Sequence, residues 1–317
     1  MIAGSKSSTA TPLTRFAWLS LATAVATLTL KAVAYLATGS VGLLSDAVES
    51  IVNLVGAAMA LAMLTIAARP PDEDHAHGHE KAEYFSSGVE GSLIVIAAFS
   101  IAFAAVRRLL EPQPLERVGL GLAVSVAASL LNLGTALLLQ RVARRRHSIT
   151  LEANAQHLLT DVWTSAGVLV GVVAVVLTGW QRLDPVVALV VAANIVRTGG
   201  RIVWRSIHGL MDSALPEAER STIRRVLDVF CRNGLEYHAL LTRQAGTRRF
   251  VSVHVLVPPD WTVVRGHQLV EEIEAAIREA LPSTVVLTHL EPLGDPASFQ
   301  DVTLDREDPG VAKTSRP

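Results

Sequence analysis

Residues 46–53 read DAVESIVN and residues 154–161 read NAQHLLTD, and each stretch leads into a long apolar run. Both place ligand-type side chains at i and i+4: Glu49 and Asn53 in the first, His157 and Asp161 in the second. Residues at that spacing stack one above the other on a single helical face. Two such faces set against each other offer Glu49, Asn53, His157 and Asp161, a mixed oxygen and nitrogen set that suits a divalent metal. Asp46 and Asn154 fall on the same faces, three residues before each pair, where they suit partners of the ligands or polar groups at an entrance. Ionisable groups inside membrane helices are costly and mark function. The pattern therefore predicts a metal site within a bilayer.

Composition agrees with a membrane chain. Of 317 residues, 50% are hydrophobic and only 18% charged, against about 25% charged in ordinary soluble domains. A helix needs about 20 apolar residues to cross a bilayer, and stretches at roughly 15–38, 42–68, 84–108, 116–139, 151–178 and 184–206 meet that length. Gly39 and Ser40 leave almost no loop between the first two, which predicts a tight hairpin. The single Cys231 excludes an intramolecular disulfide framework and a multi-cysteine zinc site, so metal ligands must come from His, Asp, Glu and Asn. The loop at 140–148, QRVARRRHS, carries four arginines and is expected on the cytoplasmic side. Counting crossings puts both termini and the 69–83 loop on that side too. Arg197, Arg201 and Arg205 agree, whereas Arg107, Arg108 and Arg117 fall opposite.

From residue 213 the pattern becomes that of a soluble domain. Ile223, Val226, Leu227 and Phe230 recur at helical spacing, as do Leu269, Ile273, Ala276 and Ile277. YHALLTRQAG, RRFVSVHVLVP and STVVLTHLEP read as strands, the first two turning at Gly246. The order αββαβ predicts a small ferredoxin-like α+β sandwich. The expected domains are a tail at 1–14, a six-helix transmembrane bundle at 15–212, a cytoplasmic domain at 213–293 and a disordered tail at 294–317.

These residues also carry a family resemblance. SVGLLSDA before the first pair, GHEKAE after the histidine loop, HLLTD, and YHALLTRQAG, HVLVP and THLEP further on make residues 14–293 resemble the cation diffusion facilitator family. The resemblance implies a homodimer in an inner or plasma membrane that exchanges a divalent cation for protons. It implies that Glu49 and Asn53 stand where relatives carry His or Asp and then Asp, while His157 and Asp161 match the usual pair. In the 69–83 loop, it implies a second metal site at Asp72, His75 and His79, with His77 as an extra imidazole. It implies a third, binuclear site at the dimer interface from His238, His254, His289 and Glu291, with His267 supplied by the other subunit. Relatives carry Asp at the position of Glu291. Lys81 and Asp212 match a salt bridge between membrane and cytoplasmic parts.

The chemistry of the first site explains the exchange. A metal displaces protons from its ligands, and His157, with Glu49 beside it, is the expected proton carrier. Zn2+ is the expected substrate, with Fe2+, Co2+, Mn2+ and Ni2+ as alternatives; two carboxylates, one imidazole and one amide make the oxygen-preferring Fe2+ and Mn2+ more plausible beside Zn2+ and Co2+. A metal-dependent hydrolase would need a base-bearing motif such as His-Glu-x-x-His, which the sequence lacks, so a transporter and not an enzyme is expected. A membrane-anchored metal sensor is the remote alternative, and paired ligands in mid-span argue against it. No nucleic-acid partner is expected. Lys31 and Glu90, both inside apolar runs, read as hydrogen-bond or ion-pair partners within the bundle.

Overall fold

The computed structural model describes residues 13–38, 41–111, 119–232 and 234–299; within these, the side chains of 38, 41–46, 48, 49, 119–122, 168, 169, 172, 173 and 176 are excluded. The Gly39–Ser40 hairpin, most of the N-terminal tail and all of the C-terminal tail beyond residue 299 therefore lie outside the described residues. The chain divides into two compact units, Met1–Leu210 and Met211–Pro317.

The first unit is built of six long helices: α1 Thr14–Thr38, α2 Val41–Ala67, α3 Ala82–Leu110, α4 Gly119–Arg146, α5 Ile149–Thr178 and α6 Leu183–Leu210. Among the described residues, five of them (α1, α2, α3, α4 and α6) are long and apolar enough to cross a membrane. The remaining helix, α5, is 30 residues long, with undescribed side chains in its apolar second half, and its first half carries Glu152, Asn154, His157 and Asp161. Exposed and buried residues are inverted relative to a soluble bundle. Leu36, Phe99, Phe103, Leu177 and Val190 point outward, whereas Ser20, Thr23, Asn53, Glu83, Glu90, Asn132, His157 and Asp161 are buried. That is the arrangement an apolar solvent demands, because lipid solvates the aliphatic faces and offers polar groups nothing.

Small residues and side-chain hydrogen bonds hold the helices close. A Cβ on Gly199 of α6 would lie 3.0 Å from the Gly91 carbonyl of α3 and 2.9 Å from methyls of Ile94 and Val95, so glycine there is what lets the two backbones approach. Ser206 Oγ donates to the Tyr84 carbonyl across the same pair. On the other flank Ser20 of α1 donates to Asn154 of α5 at 2.5 Å, and Thr23 of α1 meets Thr135 of α4 at 2.8 Å. The N-terminus of α5 is fixed by two acceptors. Ser148 Oγ caps it by accepting from Leu151 N at 3.4 Å, and the buried Glu83 carboxylate of α3 accepts from Ser148 Oγ at 2.5 Å and Thr150 N at 3.4 Å. A carboxylate at that end also meets the positive pole of the helix dipole.

The second unit follows the expected αββαβ order: α7 Glu217–Phe230, β1 Glu236–Ala245, β2 Arg248–Val257, α8 Val263–Ala280 and β3 Thr284–Pro292. The sheet order is β1-β2-β3, with β1 antiparallel and β3 parallel to β2. Val251, Val253, Val255 and Val257 alternate along β2 into a core completed by Ile223 and Leu227 of α7 and Val270, Ile273 and Ile277 of α8. The buried stripe of α8 thus runs through Val270, with Leu269 at its margin. Arg249 closes one end of this unit, giving two hydrogen bonds of 2.8 Å to Glu219 and one of 3.0 Å to the Pro282 carbonyl.

Candidate metal centres

In the helical unit, α2 brings Asn53 to the side chains of α5. Asn53 Nδ2 donates to Asp161 Oδ2 at 2.5 Å, and His157 Nε2 donates to Asn53 Oδ1 at 2.6 Å. Asn132 of α4 donates a further bond of 3.1 Å to the same Asp161 oxygen. All four side chains are buried. A buried carboxylate needs compensating donors, and a hydrogen bond to a charged group contributes about 1.5–3 kcal/mol. The two amides supply that compensation. Glu49 is on α2, but its side chain lies outside the described residues.

Two residues of this cluster emerge only from packing. Asn132 is a lone amide in the apolar run ASLLNLGTALLL, and its isolation there was the available sequence signal. Glu90 of α3, read from sequence as a bundle partner, sits with Oε1 3.7 Å from His157 Nδ1.

The loop site also assembles within the helical unit. Asp72 Oδ1 accepts from His75 N at 2.7 Å and lies 3.1 Å from His75 Nδ1, while Asp72 Oδ2 lies 3.2 Å from His79 Nε2. Gly78, at φ 91°, turns the chain between the two histidines. Partial burial pulls the Asp72 carboxyl up, but the hydrogen bonds from His75 and the charges of His79 and His75 outweigh it and hold the group below its ordinary value. Asp72 is thus ionised at neutral pH. The ligand atoms of Asp72, His75 and His79 all lie within 4.8 Å of one another.

In the second unit, strand register does the assembling. His238, His254 and His289 are consecutive partners across β1, β2 and β3, on the face opposite the valine core because residues alternate along a strand. Glu291, two residues beyond His289, reaches back into the row. It accepts from His238 Nε2 at 2.9 Å and lies 3.4 Å from His254 Nδ1 and 3.6 Å from His289 Nε2. His238, His254 and Glu291 meet the same 4.8 Å limit. His267 is on α8, with Nε2 4.0 Å from Glu271 Oε1. Lys81 and Asp212, which the resemblance pairs, fall in different units. Lys81 Nζ donates to the Leu210 carbonyl at 3.4 Å, and Asp212 accepts from Arg243 at 3.2 Å.

Comparison with known proteins gives matches along both units. The sequence profile described as "Cation efflux transmembrane domain" matches residues 17–211, and that described as "Cation efflux protein, cytoplasmic domain" matches 215–293. A Synechocystis protein named transporter sll1263 is 50% identical over 285 residues, covering 90% of this chain and 92% of that protein. The cation-efflux pump FieF of Shewanella oneidensis is 31% identical over 276 residues, covering 86% and 92%. FieF of Klebsiella pneumoniae is 29% identical over 279 residues, covering 88% and 92%.

Proposed function

We propose a mechanism for this chain, which belongs to the cation efflux family and is an integral membrane cation transporter, not an enzyme: it exports divalent transition-metal ions, Zn2+ foremost, in exchange for protons. The observation that carries the reading is the convergence of Asn53, His157 and Asp161 on one buried point between α2 and α5, with Asn132 behind Asp161. Glu49, one turn before Asn53, is the remaining ligand of the proposal.

The geometry suits exchange. Asn53 Oδ1 and Asp161 Oδ2 carry lone pairs a cation can use, as does His157 Nε2 once its hydrogen has left. A cation entering among them takes the place of the His157 Nε2–H: an imidazolium gives that proton up to the exchange and keeps the one on Nδ1, whereas a neutral ring moves its single proton to Nδ1. The Asn53 amide must turn its oxygen to the metal and its NH2 away. Metal bound from one side and protons from the other then give antiport. The amide and carboxylate oxygens beside one imidazole keep Fe2+, Co2+, Mn2+ and Ni2+ as alternative substrates.

The other two clusters fit accessory roles. Asp72, His75 and His79 would hold a cation at the loop. His238, His254, His289 and Glu291 form a donor set suited to Zn2+, and with His267 from a partner subunit they would join a homodimer and bias the cycle by mass action. Lys81 and Asp212 are proposed to pair between the units. The arginine-rich 140–148 loop supports placing both termini in the cytoplasm of a cell with this transporter in its inner or plasma membrane.

The test is metal uptake into sealed proteoliposomes under an imposed pH gradient. Asp161→Ala is expected to abolish uptake of Zn2+, and collapsing the gradient is expected to do the same in the wild type. Uptake that survives both would place the pathway elsewhere.

A further inference from the structure

We infer that Glu90 of α3 is the positioning residue of the transport histidine: its carboxylate accepts the His157 Nδ1 proton and so directs Nε2 to the metal. The inference rests on the transport-site reading above and adds a third helix to it.

The two ring nitrogens of His157 face different helices. Nε2 meets Asn53 of α2 at 2.6 Å, and Nδ1 looks toward Glu90 Oε1 of α3 at 3.7 Å. Glu90 is 3% exposed and His157 8%, and neither His157 Nδ1 nor Glu90 Oε2 has a hydrogen-bond partner among the described residues. Buried polar atoms without partners are rare and call for a reason. Here two of them belong to neighbouring side chains.

Metal loading supplies the reason. With Nε2 bonded to Asn53, a neutral ring carries its proton there and leaves Nδ1 bare. When Nε2 turns to a cation, the neutral ring must carry its proton on Nδ1. That proton needs an acceptor among buried side chains, and Glu90 is in place. The gap must close by about 0.8 Å to reach a normal hydrogen bond of about 2.9 Å. Gly56 leaves space for that movement, since even a Cβ there would lie 3.6 Å from both Glu90 Oε1 and the His157 ring. A carboxylate behind a metal-bound imidazole fixes its tautomer and raises its basicity, and losing it costs about 10–100-fold in metal affinity.

The test uses full-length protein with 15N-labelled histidine rings, His157 being assigned by its loss in His157→Gln. In the Zn2+-loaded wild type, His157 is expected to carry metal on Nε2 and a proton on Nδ1. In proteoliposomes, Glu90→Leu is expected to raise the Zn2+ KM about tenfold with little change in kcat and to mix the ring's tautomers. Glu90→Gln, which keeps an acceptor oxygen, is expected to restore both. Zn2+ on Nδ1 in the wild type, or a Glu90→Leu variant with wild-type KM and a single Nδ1–H tautomer, would overturn the inference. Transport surviving in His157→Ala would instead overturn the transport-site reading beneath it. Should Glu90→Leu fail to fold, the wild-type spectrum still decides which nitrogen holds the metal.

Discussion

Asn53 of α2 donates its amide to Asp161 of α5 at 2.5 Å, so a neutral donor, not a second carboxylate, faces the Asp161 charge. The amide satisfies the carboxylate as folded, and its oxygen remains available to a cation after a flip. This one contact sets both the resting hydrogen bonds of the site and the charge it offers to a metal.

Replacing that donor by an acid tests the point. In Asn53→Asp, two carboxylates at hydrogen-bond distance cannot both ionise without a cation between them. Metal binding must then release a further proton, so uptake is expected to depend more steeply on pH. The ratio of initial Zn2+ to Mn2+ rates is expected to change at least about fivefold, roughly 1 kcal/mol of differential binding. Proteoliposome uptake of each metal at several pH values reads both effects, and an unchanged ratio would deny Asn53 a part in selectivity.

Glu83 ties α3 to the start of the helix that carries His157 and Asp161. Glu83→Ala strips the acceptor from Ser148 Oγ and Thr150 N, both at the N-terminus of α5. Donors left buried and unpaired cost about 1–3 kcal/mol each. The expected outcome is a lower Tm in detergent and impaired transport from a protein that still inserts. Glu83→Gln, which keeps an acceptor, should recover much of the loss.

The histidine row of the sheet predicts a response to chelation. If it binds Zn2+, free metal at a hundredfold over Kd stabilises the folded unit by about 2.7 kcal/mol. Removing Zn2+ with a chelator should lower the Tm of the full-length protein, and Glu291→Ala should remove most of that difference because Glu291 touches all three histidines. Direct titration of bound Zn2+ per chain gives the independent check.

Arg249→Met breaks a part-buried ion pair and leaves Glu219 and the Pro282 carbonyl without its three hydrogen bonds. Removing one partner of a fully buried pair costs about 3–5 kcal/mol, and partial solvation of Glu219 puts this pair below that range. Chemical denaturation followed by Trp261 fluorescence, in a chain whose other tryptophans are replaced by Phe, should show the second unit unfolding at markedly lower denaturant. The double change Arg249→Met with Glu219→Leu should recover part of the loss.

Much of this was legible along the chain. The lengths of the apolar runs gave six long helices within a few residues of their ends, and the switch to strand alternation after residue 213 gave the αββαβ order. Those signals are local: an i, i+4 repeat or a two-residue alternation states which face of an element is apolar. Glu90 and Asn132 were visible as polar residues in apolar helices, but nothing local said whom they meet.

The sequence by itself determined the elements, the polarity of their faces and the chemistry available on each: His157 over Asp161 on one helix, Glu49 over Asn53 on another. Tertiary structure decided the partners. It brought α3 and α4 to the α2–α5 pair, gave Asp161 two amide donors, left His157 Nδ1 facing Glu90, and set the register that puts His238, His254 and His289 in one row. The physical reason is that periodicity is fixed by bonds and torsions within a few residues. Which face meets which, and in what register, depends on close packing between segments far apart in the chain.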